Sequence, residues 1–225
     1  MAEVHGVAGE WARVKGTVAG LWPVFLGVFA AGFAIALVIL SATIAGTIIL
    51  AGAIAAVAAF LAKGMRRIES FFVGARGEER VSRILSELPE GYHVFNDYIA
   101  KGKHVDHVVA GPAGVFAVET KCWRGRVTVE EGHILVDGRL PTRAPLAQVL
   151  KEAAHVKQAL ADAGWSGNVT PLLVFASNTF VSRIAETGGA VVMNAAEIPA
   201  SFAASRSVLA PDELERLVGI MENNI

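Results

Sequence analysis

His104-Val105-Asp106-His107-Val108-Val109-Ala110-Gly111-Pro112-Ala113-Gly114-Val115-Phe116-Ala117-Val118-Glu119-Thr120-Lys121 is a run of mostly apolar, β-branched residues interrupted by one Gly-Pro-Ala-Gly bend. Two such arms around a single cluster of turn formers predict a β-hairpin. Side chains two apart in a strand share a face, so Glu119 and Lys121 point one way while Phe116, Val118 and Thr120 point the other. With the bend centred on Pro112-Ala113, Gly111 pairs with Gly114, and counting outward sets Asp106 opposite Glu119. Directly opposed residues hold their Cβ atoms about 4.5–5.5 Å apart, a separation at which two carboxylates can share one divalent cation. Pro at the first central position fits a two-residue hairpin poorly, so a register slipped by one residue is the alternative. On spacing alone, a cross-strand salt bridge of Asp106, Glu119 and Lys121 comes ahead of a cation site, because Glu-x-Lys recurs by chance.

Working outward, residues 71–88 read as a helix with Val81, Ile84, Leu85 and Leu88 on one apolar stripe, ended by Pro89-Glu90-Gly91. Glu78 lies at the edge of that stripe and Glu79 faces away. Glu78 is therefore the acid able to look toward the sheet, although an ordinary boundary glutamate would sit in the same place. Residues 92–99 read as a first strand, with Lys101-Gly102-Lys103 turning into the Asp106 strand. Beyond Lys121, residues 126–129 and 134–136 form a smaller hairpin. Residues 146–163 are a second helix with Leu146, Val149, Leu150, Ala153 and Leu160 on its buried side and Gly164 past its end. Residues 169–177 suit a central strand and 190–194 another, with helices over 195–204 and 211–223. Helix, three-strand meander, helix and strand in this order predict an α/β fold, a mixed sheet flanked by helices.

The first third of the chain has a different character. Residues 18–62 contain no Asp, Glu, Lys or Arg, whereas about 20 apolar residues suffice to cross a bilayer. One helix of that length would run about 68 Å, so two crossings with a reversal near Ser41-Ala42-Thr43 fit better, over residues 21–40 and 44–62. Gly20, Gly27, Gly32, Gly46 and Gly52 would let the helices approach closely. Arg13 and Lys15 before the run, and Lys63, Arg66 and Arg67 after it, place both termini in the cytoplasm under the positive-inside rule. The expected division is a membrane hairpin over 1–67, contacting lipid through residues 18–62, and a cytoplasmic domain over 68–225, in a multi-pass protein of the cell membrane. A working role for the hairpin itself is the weakest alternative, since no charge interrupts it to mark an ion path.

Cys122 is the sole cysteine, which excludes an intrachain disulfide and a cysteine-based zinc site. A net charge of −1 gives no global attraction to nucleic acid, so any such binding must come from local basic clusters. Alternation puts His104 on the face of Asp106 and His107 on the other, so the two do not form a two-histidine metal site. His104 is a candidate phosphate contact, and Lys101, Lys103, Arg124 and Arg126 are candidates for a phosphate track or for a merely solvated basic rim.

Gly74-Ala75-Arg76-Gly77-Glu78 opening a helix, Asn96-Asp97 ending a strand, Val105-Asp106-His107-Val108-Val109, Gly114-Val115-Phe116, Glu119-Thr120-Lys121 and Gly125 together resemble the nuclease-related domain (NERD) family over about residues 70–180. Pro145-Leu146-Ala147-Gln148 resembles that family's Asn-Pro-Leu-x-Gln segment, with Ala144 in place of Asn. Thr120 stands where an apolar residue is more usual. The resemblance implies a restriction-endonuclease-like fold of the PD-(D/E)xK type and a nuclease using Mg²⁺ or Mn²⁺. It further implies Asp106 and Glu119 as metal ligands, Lys121 as the residue that positions the attacking water or stabilises charge, and Glu78 as support for the metal. Gln148 would face the site at a helix start, although the helical wheel sets it away from the apolar stripe. The implied partner is nucleic acid, DNA ahead of RNA. A catalytically inactive module binding nucleic acid or a partner at the membrane is the alternative on the same fold.

Overall fold

The structure, a computed structural model, describes residues 1–40 and 43–222, and side chains throughout these except at 61–68. The chain divides into two compact units, one made of Trp11–Val73 and the other of Met1–Glu10 with Gly74–Ile225.

The first unit is built from α1 (Glu10–Ile39) and the first part of α2 (Thr43–Ser86). Within them, Glu10–Ile39 and Thr43–Phe60 are long and apolar enough to cross a membrane. Their apolar side chains face outward, with Trp22 68% and Phe29 75% exposed, which is the reverse of a water-soluble core helix. A Cβ on Gly27 would fall 2.4 Å from Val57, and one on Gly46 would fall 2.8 Å from the Ala34 carbonyl, so these two glycines do permit close helix packing. Gly32 and Gly52 face open space and do not. The first two residues of the expected reversal, Ser41 and Ala42, lie outside the described residues. The sequence predicts a break between 62 and 71, but α2 is one helix of 44 residues. Between those positions stand one isolated Gly and no Pro, and the charges there change what surrounds a helix without ending it.

The second unit is a mixed seven-stranded sheet with order β1-β2-β3-β4-β7-β9-β8. Its strands are β1 (Glu3–His5), β2 (His93–Ala100), β3 (Lys103–Gly111), β4 (Gly114–Lys121), β7 (Val169–Phe175), β8 (Ile184–Thr187) and β9 (Ala190–Asn194). A separate ribbon pairs β5 (Val127–Glu130) with β6 (His133–Val136). Lys101 and Gly102 both have positive φ, 52° and 70°, as a two-residue turn between β2 and β3 requires. β3 runs antiparallel to both β2 and β4, whereas β1 is parallel to β2, and β4, β7 and β9 are mutually parallel.

Helices cover both faces. Val156 and Leu160 of α3 (Pro145–Asp162) and Leu217 and Met221 of α5 (Pro211–Glu222) pack on Phe95, Val108 and Ala117. Val81 and Leu85 of α2, with Ile198 and Phe202 of α4 (Ile198–Ala204), pack on Val94, Val109, Val118 and Leu172. Alternate residues of each strand thus serve opposite cores, the period-two rule at work on a sheet buried on both sides. Leu150, expected on the buried side of α3, is exposed, and the buried stripe runs instead through Pro145, Val149, Glu152, Ala153, Val156 and Leu160.

Candidate active site

The hairpin has the register predicted from its bend: Gly111 pairs with Gly114, and the ladder runs out to His107 opposite Val118. It goes no further. In place of the next rung, the Thr120 N–H donates to Asp106 Oδ2 at 2.8 Å. On the other side of β3, the pairs Asn96↔His107 and Tyr98↔Val105 flank Asp97, whose φ is 52°. Positive φ at a non-glycine residue within a strand is unfavourable and clusters at functional sites. Here it accompanies a contact of Asp97 Oδ1 with His104 Nε2 at 2.8 Å, while His104 Nδ1 lies 3.7 Å from Asp106 Oδ1.

Asp106 and Glu119 are buried, at 8% and 3% exposure. Lys121 Nζ donates to Glu119 Oε1, as alternation on β4 predicts, and to Gln148 Oε1 at 3.0 Å. Gln148 Nε2 in turn donates to Glu152 Oε1 at 2.9 Å. Gln148 therefore faces the site, contrary to the wheel. It sits in the first turn of α3, one turn before Glu152 and only about 40° from it around the axis. Glu152 and Asp97 were not anticipated from the sequence. Glu152 carried a signal nonetheless, being the one acid at a stripe position of an otherwise apolar helix face.

Glu78 reaches the group from α2 and is buried. Gly77 makes this approach possible, since a Cβ there would lie 2.8 Å from the Cys122 Cβ, just past the end of β4. His107, on the opposite face, is packed in the core with Nδ1 2.8 Å from Asn96 Oδ1. Burial lowers its pKa to about 3, so the ring is neutral. Lys101 pairs with Asp162, while Lys103, Arg124 and Arg126 are exposed.

Four carboxyl groups are thus gathered with one ammonium. Burial, then Glu119 and Glu78, push Asp106 well above its ordinary range, against the Thr120 N–H. Burial, then Asp97, lift Glu78 to about 7. Burial and then Glu119 lift Glu152 to about 9, opposed by Gln148 and Lys121. Glu78 Oε2, Glu119 Oε2 and Glu152 Oε2 are all buried without a hydrogen-bond partner. Unpaired buried carboxylate oxygens are costly, and a hard divalent cation is the natural partner for such a donor set. No three of these carboxyl groups bring ligand atoms within 4.8 Å of one another.

A mixed sheet flanked by helices, with acids from α2, β3, β4 and α3 drawn around a strand-borne lysine, defines an α/β domain with a buried acidic centre. Residues 73–176 match the model of the nuclease-related domain (NERD) family. Comparison with curated proteins and with solved structures finds no match.

Proposed function

We propose that this domain is a divalent-metal-dependent nuclease of the restriction-endonuclease-like PD-(D/E)xK type, hydrolysing phosphodiester bonds of nucleic acid at a membrane surface. The observation that carries the proposal is the cluster of buried carboxyl groups of Glu78, Glu119 and Glu152, each with an oxygen lacking a hydrogen-bond partner, beside Asp106 and the Lys121 ammonium. Asp106 and Glu119 would hold Mg²⁺ or Mn²⁺, with Glu78 in support. Such an ion, when bound, lowers the pKa of a bound water and polarises the phosphate. Lys121 is held by Glu119 and Gln148 where an ammonium can orient that water and oppose the growing negative charge. Glu78, at about 7, can keep or release a proton at Oε2 near neutral pH. His104, Lys103, Arg124 and Arg126 would meet phosphates, DNA ahead of RNA, with Lys101 joining only if it leaves Asp162. The outward apolar faces of Glu10–Ile39 and Thr43–Phe60 support the membrane tether.

The test uses the full chain in detergent with single- and double-stranded DNA and RNA, in Mg²⁺ or Mn²⁺. Wild type should cut at least one of these. Asp106→Ala and Glu119→Ala should abolish cutting and weaken metal uptake measured by calorimetry. Lys121→Ala should lower turnover by about 10²-fold with metal uptake intact. A folded wild type that binds nucleic acid but cuts none of the four, with either ion, would replace the enzyme with a binding module.

A further inference from the structure

We propose that Glu3, His5 and His93 form a second cation site that takes Zn²⁺ or a similar transition ion and fastens β1 to the edge of the sheet. The arrangement follows from strand register. Glu3 and His5 lie two apart and share a face of β1, and the parallel pairing sets Glu3 beside His93 and His5 beside Phe95. Three ligand-bearing side chains therefore meet on one face. His93 Nδ1 lies 3.5 Å from Glu3 Oε2, and His5 Nδ1 lies 3.6 Å from Glu222 Oε1 at the last described turn of α5. Ligand atoms of Glu3, His5 and His93 all fall within 4.8 Å of one another, the one such group of three among the described residues.

The chemistry of the donors selects the ion. Two imidazoles with carboxylate suit Zn²⁺ and its neighbours, whereas Mg²⁺ takes oxygen. Tetrahedral Zn²⁺ with bonds of about 2.0–2.1 Å holds its donors about 3.3–3.4 Å apart, close to the His93 Nδ1 to Glu3 Oε2 separation. His5 Nε2 and His93 Nδ1 are buried with no hydrogen-bond partner, and a metal ion is one of the few groups that can satisfy a buried nitrogen left so, while Glu222 at His5 Nδ1 orients the ring. His5 is also held in place, its ring stacked on Phe95 at 4.5 Å and 9°. Glu3, 66% exposed, leaves the site open to entry from solvent. β1 gains most from such a fastening. It has only three residues, tied by few bonds such as Glu3 N–H to the Tyr92 carbonyl and the longer Asn96 Nδ2 to the Gly6 carbonyl.

The untagged full chain in detergent, stripped with a chelator and held in excess Mg²⁺, is titrated with Zn²⁺ by calorimetry and with Co²⁺ by visible absorption. One Zn²⁺ equivalent and tetrahedral Co²⁺ bands are expected. His5→Ala and His93→Ala should each weaken uptake by at least about tenfold, and the exposed Glu3→Gln, least able to disturb folding, should weaken it too. Asp106→Ala combined with Glu119→Ala should leave Zn²⁺ uptake unchanged, which separates this site from the acidic centre. Zn²⁺ should slow amide exchange across residues 3–5 by about tenfold. Absence of Zn²⁺ uptake by wild type, or uptake unaltered by all three single changes in variants with native circular dichroism, would overturn the proposal.

Discussion

Glu152 shows how far one residue alters the balance of the acidic centre. Its folded pKa of about 9 lies above the ordinary 4.5, so the folded protein binds this proton more tightly than the unfolded chain. The resulting stability is fully present below about pH 4.5 and is lost as pH rises through about 9. With chelator present, thermal or denaturant melts should therefore show stability falling across that window. Glu152→Gln, which keeps the hydrogen-bonding shape without the charge, should flatten the slope and be more stable at pH 9 by about 1–3 kcal/mol. Equal slopes in the two proteins would mean that Glu152 ionises without cost. Gln148 calls for a kinetic measurement instead. Because it holds Lys121, Gln148→Ala should lower kcat by about tenfold and leave KM and metal uptake nearly unchanged. Asp106, Glu119 and Lys121 were legible because strand alternation is a strict two-residue rule. Gln148 was legible only through the family resemblance, since its place depends on how the first turn of α3 meets the end of β4, which a wheel does not contain.

Among the elements, the approach of α2 to β4 sets the position of Glu78. Gly77→Leu keeps a strong helix former in place but forces a side chain against Cys122 and Ala176, whose Cβ atoms lie 2.8 and 3.4 Å from the added Cβ. Overpacking should cost about 1–3 kcal/mol, read by denaturant melts, and should weaken divalent-metal uptake by moving Glu78. Unchanged stability and uptake would show that the helix can slide without disturbing the site. The central strands were readable in the sequence because burial on both faces makes them long and apolar, as in residues 169–175. β1 and β8 were not, since three and four residues are too few to display a period, and both are edge strands fixed by their neighbours. The continuity of α2 was missed because a change from apolar to charged residues resembles a boundary even where no backbone signal stops the helix.

At the scale of the whole molecule, the proposed substrate requires a particular topology. Under the positive-inside rule, Arg13 and Lys15 before the uncharged run, with Lys63, Arg66 and Arg67 after it, would put both ends of the hairpin on the cytoplasmic side, where intracellular nucleic acid is found. Cys122 is the only thiol to remove, and Cys122→Ala provides the background for single-cysteine variants. Leu40, beside the expected reversal, and Arg124, on the exposed rim beyond β4, are the informative positions. In intact cells, a thiol reagent unable to cross the membrane should label Leu40→Cys and leave Arg124→Cys unmodified until the cells are opened. Labelling of Arg124→Cys in intact cells would place the sheet domain outside. The acidic centre would still be expected to bind a divalent ion in that case, because its donors are fixed by the fold. Its substrate would then have to be nucleic acid, or another phosphodiester, that reaches the outer surface.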